Sequence, residues 1–132
     1  MAAFSNYLED QITAWIAGTT FATAPTATFV QLYNGNPTDT GSSGTALYER
    51  ITIASGTGSW TRGTGDNGTI TNASAFTITS GATATGSATH VTVWDASASG
   101  NLIFFGALTT AKTIASGDEV KFNASALTLT VA

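Results

Sequence analysis

The chain has 132 residues, enough for one domain with a hydrophobic core of its own. Charged residues make up only 9%, the formal net charge is −4, and Arg50, Arg62, Lys112 and Lys121 are scattered, which excludes the basic patch that nucleic-acid binding needs. Cysteine is absent, so the fold owes nothing to disulfides or thiolate-bound metals.

Low charge with abundant Thr, Ala, Ser and Gly suits strands, because β-branched Thr fits a pleated surface. Such surfaces also lose little hydration on burial, which favours assembly. No apolar run approaches membrane-spanning length, and the N-terminus has neither a basic n-region nor an apolar h-region. Assembly in the cytoplasm, with no membrane partner, is therefore expected.

The pattern predicts one helix, over residues 5–17, with Leu8, Ile12, Trp15 and Ile16 on one stripe and Glu9, Asp10 and Gln11 off it. Ser5 or Asn6 can cap it; with Asn6 as the cap, Glu9 takes the capping-box position. Gly18 is a natural terminator. A lone short helix is marginal, so its stripe docks on its own sheet or on a neighbouring subunit.

Residues 27–33 alternate Thr28, Val30 and Leu32 against Phe29, Gln31 and Tyr33 and read as a strand. The run from Asn34 to Gly44 stacks turn-forming residues, offers no apolar side chain to bury and reads as a mobile loop. A strand over 48–54 follows, with Ile51 and Ile53 on one face. Residues 55–68 form a second Gly-rich loop in which Trp60 has no alternating partners, so it either folds back on the core or anchors a partner. One strand is expected over 69–80, around Phe76 and Ile78, and a small-residue linker over 80–87.

The strongest local signal is a hairpin over 89–108. His90, Thr92 and Trp94 oppose Val91 and Val93 in its first strand, Leu102 and Phe104 oppose Ile103 and Phe105 in its second, and Asp95 and Gly100-Asn101 bracket the turn. Residues 109–118 read as a crossing connection ending in a turn at Ser116-Gly117-Asp118. Val120 and Phe122, then Leu127, Leu129 and Val131, mark two closing strands. The expected fold is mainly β: an antiparallel β-sandwich or jelly roll over 27–132, preceded by one short N-terminal α-helix within 1–18, the whole forming a single domain.

Catalytic chemistry finds no support. His90 is the only histidine and lies inside a strand, without evident nucleophile or orienting carboxylate. Asp39, Asp66, Asp95 and Asp118 all occupy turn contexts. Gly65-Asp66-Asn67-Gly68 offers oxygen ligands to calcium but lacks the acidic spacing of a dedicated loop. No catalytic, cofactor or metal residue is assigned, and the protein is expected not to be an enzyme.

The segments Thr89-His-Val, Trp94-Asp-Ala, Gly100-Asn-Leu, Gly106-Ala-Leu-Thr-Thr, Lys112-Thr and Ser116-Gly-Asp stand with the opening Met1-Ala-Ala-Phe-Ser-Asn-Tyr-Leu-Glu, Pro37-Thr-Asp-Thr-Gly and the closing Ala126-Leu-Thr-Leu-Thr-Val. Together they resemble a family of small tailed-phage virion proteins. Members are often labelled tail fibre proteins, and proteins of similar size and composition serve as capsid cement or decoration proteins. The resemblance implies a virion structural protein, first a capsid cement that binds the major capsid protein through passive contacts and forms a homo-oligomer. The alternative it leaves open is a tail-fibre-associated module whose loops bind a host surface glycan, with Trp60 beside Asp66 and Asn67. By composition and location the candidate contacts are Phe4, Tyr7 and Trp15 in the N-terminal arm and helix, Asn34, Pro37 and Asp39 in the first loop, and Trp60 with Arg62 in the second.

Overall fold

The computed structural model describes residues 2–54, 59–63, 68–78 and 82–130. In chain order the elements are β1 (Ala2–Phe4), α1 (Asn6–Ile16), β2 (Ala27–Asn34), β3 (Thr45–Ala46), β4 (Ile51–Ala54), β5 (Trp60–Arg62), β6 (Thr69–Asn72), β7 (Phe76–Ile78), β8 (Gly86–Trp94), β9 (Leu102–Ile114), β10 (Val120–Phe122) and β11 (Thr128–Thr130). The expected hairpin, β8 and β9, forms the centre of the main sheet, ordered β1-β9-β8-β2, with β3 and β4 both paired to β2. Two smaller sheets, β11-β6-β5 and β10-β7, are also antiparallel.

The register shows why these sequences pair. Val30 lies opposite Val93, and Val93 opposite Phe104, which faces Phe4; one residue row on, Leu32 lies opposite Val91. Alternation therefore puts one apolar row on one face of the main sheet. That row buries itself against Ile78 of β7, Val120 of β10 and Leu129 of β11, all in one hydrophobic cluster. Sheet packs on sheet, giving a mainly β sandwich with a single helix near the N-terminus.

Several expected boundaries move, each for a local reason. The strand expected over 69–80 is two strands in different sheets, because the Asn72 side chain donates to the Ser74 carbonyl (2.9 Å) and turns the chain. The crossing connection expected over 109–118 is strand as far as Ile114, paired to Gly86–Ala88. Its residues 109–113 lack an apolar alternation because all five are exposed. Likewise Gly86 and Ser87 belong to β8 and not to a linker. Tyr48, Glu49 and Arg50 precede β4: the Tyr48 carbonyl accepts from Gln31 Nε2 (2.6 Å) and its hydroxyl donates to the Asp118 carbonyl (3.1 Å), so side-chain bonds replace a ladder there. Trp60 lies in a strand, β5, opposite Asn72. A bulge between Val93 and Trp94 breaks the expected sharing of a face by Leu102 and Phe104. Phe104 joins the core, and Leu102 sits with Trp94 under the loop around Gly41.

The helix starts at Asn6 because Ser5 is the cap, its Oγ accepting from the Leu8 amide (3.2 Å); the Glu9 capping box is not used. Ser5 is fully buried, its hydroxyl donates to the Leu102 carbonyl, and its amide donates to the Ile103 carbonyl (3.1 Å). The Asn6 amide donates to the Asp39 carbonyl (3.2 Å). The helix N-terminus is thus sewn to β9 and to the loop over 35–44. At the other end Gly18, with φ +87°, completes a Schellman motif: Thr19 amide to Ala14 carbonyl (2.9 Å) and Gly18 amide to Trp15 carbonyl (3.0 Å).

Candidate functional site

The apolar stripe of α1 is covered unevenly. Leu8, one turn in, packs against the core, Ile12 is half-buried, and at the far end Trp15 is 63% and Ile16 73% exposed. No residue of the helix is buried. After the Schellman turn the chain returns as a strap over residues 19–26, tied to the helix by the Gln11 side chain, whose Oε1 accepts from the Ala22 amide (3.0 Å). The strap carries Phe21, 41% exposed, and closes a groove of about 280 Å³ lined by Tyr7, Leu8, Phe21, Pro25, Asp95 and Ile103.

Five of the eight candidate residues fall on the helix, in β1 before it or in the loop that holds its N-terminus. Trp15 is on the exposed stripe and Tyr7 lines the groove. Phe4 packs against Phe104 with ring centroids 5.2 Å apart. Asp39 is exposed and holds the helix N-terminus through its carbonyl, and Pro37 is fully buried. Pro37 is thus the apolar side chain that the loop was expected to lack. The loop is also cross-linked internally, with amide-to-carbonyl bonds from Gly41 to Thr38 and from Ser43 to Pro37, both 3.2 Å. The other three candidates lie apart. Asn34 is exposed at the end of β2, opposite Thr45. Trp60 folds back: it packs against the core, and its indole Nε1 donates to Thr28 Oγ1 (2.9 Å). Arg62 is exposed on β5, opposite Ile70. Asp66, Asn67 and most of the Gly65–Gly68 calcium expectation lie outside the described residues.

Ile16, Phe21 and Arg50 were not among the sequence candidates. Phe21 carried the signal used for Trp60, a large aromatic among Thr, Ala and Gly without alternating partners. Arg50 had no comparable signal, because its partner lies in another strand. Its guanidinium carbon stands 3.6 Å from the centroid of the Trp94 ring, and Nη1 donates to the carbonyls of Ala96 (2.9 Å) and Ser99 (2.5 Å). The clamp ties the turn after β8 to the segment before β4. Beside it, Trp94 Nε1 donates to Thr92 Oγ1 (2.9 Å), and Thr92 Oγ1 donates to the Gln31 carbonyl (3.2 Å).

The sole histidine, His90, sits across from Tyr33 and Ala107 with Nδ1 2.9 Å from Thr89 Oγ1. Burial lowers its pKa below the usual 6.5, so the folded protein favours neutral imidazole and protonation favours the unfolded chain. Its contribution to stability is therefore full above pH 6.5 and is lost as the pH falls through the depressed folded value. Melting temperatures of wild type and His90→Gln, compared from neutral pH to pH 5, should converge toward the acid end. Parallel curves would show that burial does not reach the imidazole.

Among the described residues no group of three or more His, Cys, Asp or Glu is placed to hold a metal ion. No helix there is long and apolar enough to cross a membrane. What the geometry offers is surface: one exposed apolar end, a groove beside it, and a sandwich that fixes both. No curated protein matches the chain. A family model does, described as Podophage GP4 fiber I protein gp80, over residues 3–130. A match of that span takes in the helix, all of the described strands but the first residue of β1, and both Gly-rich loops, and the chain belongs to this podophage fiber family of phage virion structural proteins.

Proposed function

We propose that the protein is a non-enzymatic structural subunit of the phage tail-fibre apparatus, a homo-oligomer held in the virion by passive protein–protein contacts. The observation that carries this reading is the fibre description of a family matched over residues 3–130. The site supports it, since the features not used by the fold are exposed apolar side chains at one end of the molecule. Passive contacts suffice for such a role, because several weak attachments within one assembly add to a strong one.

The cement reading, with the major capsid protein as partner, draws on size and composition, which a fibre subunit shares. The glycan-recognition reading loses its platform in part, since the Trp60 indole is packed on the core and its Nε1 is already bonded. Copy number tests the choice. Quantitative mass spectrometry of purified virions should find this protein far below the major capsid protein. A ratio near a simple fraction of the capsid count would instead make it a shell component and sink the tail-fibre assignment.

A further inference from the structure

We infer that the C-terminal end of α1 and the strap behind it dock into an apolar cleft rimmed by lysine or arginine on a different protein of the virion. The inference rests on the virion-subunit reading above and names the partner's chemistry.

The exposed group is contiguous. Trp15 and Phe21 line one shallow depression with Gly18 between them, and Ile16 is the most exposed large apolar residue of the chain's described part. Scattered single apolar residues are ordinary on a surface, but a patch containing an indole, a phenyl ring and a sec-butyl group marks an interaction site. The patch is also held ready. The Schellman bonds fix the turn at Gly18, and the Gln11 to Ala22 bond fixes the strap against the helix, so docking orders little that is not already ordered. Ile12, Trp15 and Ile16 have the i, i+3, i+4 spacing by which a helix enters a groove.

Charge selects the occupant. Glu9 and Asp10 are exposed on the helix that carries the patch, and Asp95, partly offset by Arg50, lines the groove beside it. The last turn of the helix carries no basic residue to offset its negative carbonyl end. Of the four basic side chains, Arg50 is bonded over Trp94, while Arg62, Lys112 and Lys121 stand in β5, the far half of β9 and β10. A second copy meeting the first through this same face would set one helix carbonyl end against another and bring together two chains of net charge −4, since a two-fold contact uses one patch twice. A cationic rim around an apolar cleft meets both the charge and the apolar side chains.

The test replaces Trp15 with the photocrosslinker benzoylphenylalanine and irradiates intact virions, mapping the joined peptides by mass spectrometry. Crosslinks to a different virion protein, at apolar residues with Lys or Arg nearby, are expected. Trp15→Ala should cut the copies retained per virion about tenfold or more, as loss of a tryptophan anchor does. Because Trp15 is exposed, the same variant should leave the melting temperature of the isolated protein nearly unchanged. Glu9→Lys with Asp10→Lys should also lower retention, and a high-salt wash should release wild type. Crosslinks to the same segment of a second copy, full retention of Trp15→Ala, or indifference to charge reversal and salt would each overturn the inference. If the crosslinked protein were the major capsid protein, the docking chemistry would stand and the tail-fibre reading would fall, so the two fail separately.

Discussion

Replacing Asn72 with alanine should lower stability by about 3–5 kcal/mol, near the top of what single substitutions do. Asn72 is fully buried, and its side chain joins three segments. Nδ2 donates to the carbonyls of Ser74 (2.9 Å) and Asn123 (2.8 Å), and Oδ1 accepts from the Leu127 amide (2.8 Å). Its backbone adds two more bonds, to the Leu127 carbonyl (3.2 Å) and from the Ser125 amide (2.8 Å). Alanine would leave the buried Leu127 amide without its partner, at roughly 1–3 kcal/mol, and would take a bond worth about 1 kcal/mol from each of the part-buried Ser74 and Asn123 carbonyls. The strands that would loosen are β6 and β11, whose Leu129 closes the core against the main sheet. Urea denaturation measures the loss directly. Asn123→Ala serves as control, because Asn123 takes part through its carbonyl alone and its side chain is exposed. A loss below 1 kcal/mol for Asn72→Ala would mean that water already satisfies these groups.

Asn72 also shows where sequence stops being informative. Inside a run of Thr, Asn and Ala it reads as one more polar strand residue, and only the fold reveals a side chain that ends one strand and holds the turn of another. The hairpin of β8 and β9 was legible because Val91, Val93 and Phe104 obey a two-residue period and Asp95 and Gly100 punctuate it. Asp95 does what turn chemistry requires, accepting from the amide and side-chain nitrogen of Asn101 at 2.6 and 2.8 Å. Residues 109–113 of β9 were hidden for the opposite reason: all five are exposed, so no buried face imposes a period before Ile114. The helix was legible from its stripe, which cannot say how far along its length that stripe is covered. Of the candidate contacts, Tyr7 and Trp15 line two separate depressions that share Phe21, while Trp60 is drawn inward by the Thr28 hydroxyl, a partner 32 positions away. Side chains that answer to distant residues leave no local periodicity to read.

Trp94→Ala should cost about 3–5 kcal/mol, the usual range for emptying a large aromatic site. Trp94 is 7% exposed, and three things converge on it: the Arg50 guanidinium, the Thr92 hydroxyl, and the loop over 35–44, whose Gly41 touches the indole. Arg50→Ala alone should cost about 1–3 kcal/mol, from a shielded cation–π contact and two charged hydrogen bonds. In the Trp94→Ala background it should cost less, leaving a coupling of roughly 1 kcal/mol in a double-mutant cycle measured by denaturation. Additive losses would mean that the guanidinium serves the turn carbonyls and not the ring. Gly41→Ala attacks the same contact from the other side, since its Cβ would meet the ring within 2.5–2.9 Å at a φ of +69°. The effect should reach the helix. Asp39, two residues before Gly41, holds the Asn6 amide through its carbonyl, so a loop released from Trp94 releases one of the bonds that aim α1. Hydrogen exchange at Asn6 should therefore quicken in Trp94→Ala and Gly41→Ala, and retention in the virion should fall although neither residue lies on the exposed end. Unchanged exchange at Asn6 would show that Ser5, bonded to Leu102 and Ile103, fixes the helix without help from the loop.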